Sequence, residues 1–185
     1  MTDGELLTNL TIWLSLLGYT ASAAILLTSS REPHRLKAAR GASTFGCALL
    51  LAHIGCAFHF HHGWSHTAAY LDTARQTAQI ARMNFGGGVF VNYLFALAWL
   101  GDLLWWWLSP ASYQSRRRMV TAMWHGFVIF MTFNATVVFG SGPARWTGLV
   151  ICSGLCLLWL RKRRLDSAKP PALTTASPLE PRDEK

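Results

Sequence analysis

The chain has 185 residues, 51% of them hydrophobic and 14% charged, with a formal net charge of +8. That length is too short for several soluble domains. A charge of +8 on a soluble protein would suggest nucleic acid, but here the basic residues flank apolar stretches, where they orient helices and meet anionic lipid head groups, so no nucleic-acid partner is expected.

The first apolar stretch covers residues 6–28. Asp3 and Glu5 precede it, with no Lys or Arg, and the run is long. Despite the sequence Ala21-Ser22-Ala23, this reads as a retained span rather than a cleaved secretion signal, which wants a basic start and a short core. A connection over 29–41 follows, carrying Arg31, Arg35, Lys37 and Arg40, with Pro33 expected to end any continued helix. The second span covers 42–60. The connection from 61 to 87 holds a predicted surface helix over 67–82, because Ala68, Leu71, Ala74, Ala78 and Ala81 recur at spacings of three and four. Gly86, Gly87 and Gly88 then turn the chain back into the third span, 88–108.

That span closes on Trp105, Trp106 and Trp107, and a loop with Arg116, Arg117 and Arg118 leads to the fourth span, 120–139. The fifth, 144–160, opens near Trp146, ends at Trp159 and runs into Arg161, Lys162, Arg163 and Arg164. Indole rings favour head-group depth, so these tryptophans mark span ends. Each stretch is long enough for a bilayer crossing, which takes roughly 20 apolar residues. From Asp166 the composition turns to Pro, Ser, Thr and charge, as expected of a disordered cytoplasmic tail over 166–185.

These readings give an all-α membrane protein: about five transmembrane helices and one short outer-surface helix within 1–165. Only Arg75, Arg82 and Arg145 lie in the connections opposite the basic loops and tail. The positive-inside rule then places the N-terminus outside and the C-terminus in the cytoplasm, in a plasma (inner) membrane. Cys47, Cys56, Cys152 and Cys156 all fall within spans, where they act as small packing residues rather than a disulfide framework.

Four histidines crowd the outer end of span two: His59, His61, His62 and His66. On a continuous helix at ~100° per residue, His59, His62 and His66 fall within about 60° of one another, and His61 points away. Three neutral imidazoles on one stripe suit Zn, Cu or Fe. Cys56 lies one turn deeper, and Asp72 or Tyr70 approaches from the surface helix. The alternative is an interfacial role, with the rings bonding lipid phosphate, water and loop carbonyls.

Ionisable groups inside a span need partners or a purpose. Asp102 and His125 lie at matched depths, each about 10 Å from the cytoplasmic surface at ~1.5 Å per residue. They are expected to pair across the hairpin of spans three and four, as a structural contact or as part of a proton relay. Asn92 and Asn134 match near the opposite surface. His53 and His125 are candidate axial ligands of a b-type haem, although His53 counts about 8 Å further from the cytoplasm.

No Ser-His-Asp spacing, phosphate loop or paired-carboxylate signature is present, and catalysis by the chain alone is not expected. The leading reading is a non-catalytic accessory or anchoring subunit of a membrane complex, contacting the bilayer and other membrane subunits or copies of itself. A metal- or haem-binding electron-transfer subunit is the alternative. A small oligomeric transporter or channel is the third.

Overall fold

The computed structural model describes residues 2–28, 32–140 and 142–167; most of the expected tail lies outside them. The protein is an all-α membrane protein, with no strand among the described residues. Five helices are long and apolar enough to cross a membrane: α1 (Asp3–Thr28), α2 (Pro33–Ala57), α4 (Gly88–Leu108), α6 (Arg118–Phe133) and α7 (Pro143–Ser167). Helices α2 and α6 each run on through a π-helical turn, Phe58–His62 and Asn134–Val138. Among the described residues two shorter helices complete the set, α3 (His66–Ala81) and α5 (Pro110–Gln114).

The second helix starts earlier than expected. Pro33 does not end a helix but opens one, because its ring fits the first helical turn, where the missing N–H costs no bond. Most of the expected basic connection is therefore helix, as the first turns of α2. Helix α3 falls where alanine spacing placed it. Ser65 caps it by accepting from the Ala68 N–H at 3.2 Å, and it stops at Arg82, whose φ of 56° is left-handed.

Helix α1 shows the inside-out polarity of a helix in lipid. Its buried stripe is small and polar (Gly4, Thr8, Thr11, Ser15, Gly18, Ser22), while Leu6, Leu10 and Leu17 are exposed. Small residues let backbones approach where lipid removes the hydrophobic drive for helix association. The stripe meets α2 at Ala42 and Gly46. A Cβ on Gly18 would stand 2.8 Å from the Gly46 Cα, and Ser15 Oγ donates to the Gly46 carbonyl at 2.8 Å. Threonines on α1 return their hydroxyls to carbonyls one turn back, as at Thr8 to Gly4, 2.8 Å.

Against this thin pair, α4 brings bulk. Trp99 is 2% exposed and donates from Nε1 to Ser43 Oγ at 3.1 Å. Phe95 stacks on Trp124 of α6, with ring centroids 6.2 Å apart. Helix α7 closes on the π-helical turn of α6, where Thr136 reaches the backbone of Gly148 so closely that a Cβ there would overlap its hydroxyl.

Candidate functional site

At the Arg116 end, α5 folds back beneath α4. Pro110 starts this single turn, and its Tyr113 stacks flat on Trp106, centroids 4.6 Å apart. Arg116 lies over the other part of the layer, 4.0 Å from the Tyr113 ring, and its Nη1 meets Asp102 Oδ1 at 2.5 Å. Tyr113 donates to Asp102 Oδ2 at 2.9 Å, and Arg116 Nε donates to Thr121 Oγ1 at 3.0 Å. The two charged side chains are only 6% and 11% exposed, so each neutralises the other where solvent is scarce. Burial first, and then the Asp102 charge, push the Tyr113 phenol up, which keeps it a proton donor. Trp106 is thus buried in a packed layer rather than lying at the bundle surface, whereas Trp107 is half exposed, with Arg40 4.0 Å above its ring.

Asp102 therefore takes Arg116 and Tyr113, not His125. Both carboxylate oxygens are taken by residues just outside the spans, which a depth match between spans does not reach. His125 turns instead to α1, where its Nδ1 and the Tyr19 hydroxyl share a 2.6 Å hydrogen bond. His53 also binds α1, with Nδ1 donating to the Thr8 carbonyl at 2.9 Å. Thr8 and Tyr19 are about 16 Å apart along α1 at ~1.5 Å per residue. The two imidazoles are held at different depths and do not oppose each other across one haem plane. Asn134, matched in depth with Asn92, donates to the Phe130 carbonyl of its own helix at 2.9 Å.

The histidine stripe is also broken. It needed a continuous α-helix from His59 to His66. Phe58–His62 instead forms a π-helical turn, which shifts the angular phase. Gly63 and Trp64 follow with φ of 53° and 60°, and this left-handed pair ends the helix before His66 begins the next. His59 packs edge-on to Phe60, His62 packs edge-on to Phe58, and His66 Nδ1 bonds the Tyr93 hydroxyl at 3.0 Å. Asp72 pairs along α3 with Gln76 and Arg75, and Cys56 is a free thiol. Among the described residues no three His, Cys, Asp or Glu side chains converge on a metal position.

What these residues do share is a cavity of about 280 Å³ in the half of the bundle that ends at the histidines. Ile12 of α1, His53 of α2, Ala69 of α3, Asn92 of α4 and Val128 of α6 all border it. Tyr19 and Trp99 form its deep side, and Phe58, His62 and Tyr93 line its shallow side. The walls are mostly apolar with a few polar groups, as in small-molecule sites. Tyr19, the partner of His125, escaped the sequence reading, as did Arg116. For Tyr19 the signal was its place on the small-residue stripe of α1, directly after Gly18. No family model matches the chain, and no curated protein or solved structure matches it either.

Proposed function

We propose that this chain is a non-catalytic accessory subunit of the membrane that holds a membrane-soluble small molecule in the cavity at its histidine end. The cavity carries the proposal: five helices border it, and it combines aromatic walls with a small number of polar atoms. The deeper polar side chains support a structural rather than a catalytic role. Asp102 is held by Arg116 and Tyr113, and His125 by Tyr19, so both serve packing. The basic residues at the other end support an orientation in which the cavity lies in the outer leaflet and the Arg116 end faces the cytoplasm.

Native mass spectrometry of the protein released from nanodiscs tests the proposal. The parent should carry a bound mass of defined value at one per chain. Ala57→Phe and Ala135→Phe, which fill the cavity from α2 and from the π-helical turn of α6, should each lose it while remaining folded. A parent without a defined adduct, or filled variants that retain it, would refute the proposal. For the orientation, a reporter active only in the cytoplasm should work when fused after Arg118 or Arg164 and be silent near Gln76. Activity at Gln76 would reverse the leaflet.

A further inference from the structure

The hydrogen-bonding atoms left over on the cavity wall specify what the ligand carries. A carbonyl oxygen only accepts, so the bond from His53 to Thr8 fixes the proton on Nδ1. In its neutral form the ring then offers a lone pair at Nε2, and Nε2 has no partner among the described residues. No side-chain nitrogen or oxygen there is both sealed and unbonded, so Nε2 borders open space. His53 lines the cavity, and the assignment of a ligand places its Nε2 edge on that side. Asn92 lines it too, and its side chain makes no hydrogen bond among the described residues. The wall therefore presents an acceptor on α2, an amide, donor and acceptor, on α4, and the His62 imidazole on the π-helical turn at the shallow side. Asn92 is exposed as well as lining, which sets the opening of the cavity beside it.

We infer that the cavity takes a hydroxyl-headed lipophile, whose O–H donates to His53 Nε2 and whose oxygen accepts from the Asn92 amide. This rests on the cavity being a ligand site. A ketone or ester head would only accept, leaving Nε2 unbonded in an apolar wall. An anionic head finds no Lys or Arg among the lining residues, and an ammonium finds no Asp or Glu. A hydroxyl is uncharged and meets both demands at once. The aromatic walls formed by Phe58, Tyr93, Phe95 and Trp99 accept the apolar body. Two membrane sources share this chemistry, isoprenoid alcohols and hydroquinols.

The test uses matched probes, tritiated farnesol against its methyl ether and duroquinol against its dimethyl ether, with the protein in nanodiscs. Methylation preserves the body and removes the donor. In the parent, at least one alcohol should bind roughly fivefold more tightly than its ether, the equivalent of one net hydrogen bond. The preferred pair identifies the source. His53→Leu should bring that ratio to about one, while His53→Gln, whose amide can donate to Thr8 and still accept, should keep most of it. Should His53→Leu fail to fold, Asn92→Leu on the exposed side of α4 carries the test, with alcohol binding reduced roughly fivefold. Equal binding of alcohol and ether in the parent overturns the hydroxyl assignment, and a defined native adduct would then leave the cavity itself standing. No saturable binding by either pair, together with no native adduct, overturns the cavity as a ligand site.

Discussion

At one end of the bundle Asp102, Tyr113 and Arg116 satisfy one another beneath Trp106, while at the other His53, His62 and Asn92 keep atoms that no described residue bonds. Both ends place polar groups in or beside lipid. At the first, a buried charge has recruited an opposite charge, a phenol and a stacked indole, and both carboxylate oxygens are taken. At the second, no buried charge is present, and the polar atoms are spread around a cavity. Saturation marks structural work, and unspent bonding capacity beside a cavity marks recognition.

The contrast breaks most visibly at Asp102. Asp102→Leu strands the Arg116 guanidinium, and removing one partner of a buried pair costs about 3–5 kcal/mol. Folded yield and the thermal midpoint in detergent should fall sharply. Asp102→Asn, which can still accept from Tyr113, should fall less. Adding Arg116→Met to Asp102→Leu should recover much of the loss, since no charge is then left alone. Combined with His125→Ala, in contrast, Asp102→Leu should be additive within about 0.5 kcal/mol. Strong coupling to His125 would mean that the two ends are not separate networks.

A smaller effect is expected at Tyr19, which links the deep side of the cavity to His125. Tyr19→Phe deletes one hydroxyl and should lower stability by about 1 kcal/mol. The smallest effects belong to the histidine end. His53→Leu should shift the melting midpoint by less than Tyr19→Phe while altering probe binding. His61→Ala, exposed and off the cavity, should stay within about 0.5 kcal/mol of the parent and bind probe normally. A His53 variant that unfolds the protein would place that end in the structural class with Asp102.

The spans were legible in the sequence because a bilayer demands length and apolarity, and both are properties of one segment at a time. The surface helix is legible for a similar reason, from alanine periodicity. Partners were not. Asp102 was rightly singled out as needing one, but the depth argument matched only residues within spans. In the sequence Arg116 reads as a topology signal, yet an arginine at a span end can reach inward along its own side chain, as this one does to Asp102. The histidine stripe requires a helix unbroken through Gly63, the residue least able to guarantee one, and the helix ends there. A cavity bordered by five helices leaves no trace in any one of them.

The two π-helical turns have a consequence for the numbering of the chain itself. A π turn is a one-residue insertion accommodated inside a helix without breaking it. Removing one residue from Asn134–Val138 and returning to α-helix would leave all that follows almost unrotated, because five residues of the wider turn advance about as far around the axis as four α-helical ones, roughly 400°. What such a deletion changes is the turn itself. There Thr136 fills the gap over Gly148, so deleting Thr136 should loosen the seat of α7 without turning it. In α2 the turn ends at Gly63 and Trp64, so a deletion there should be tolerated better, although the two look alike as local structure.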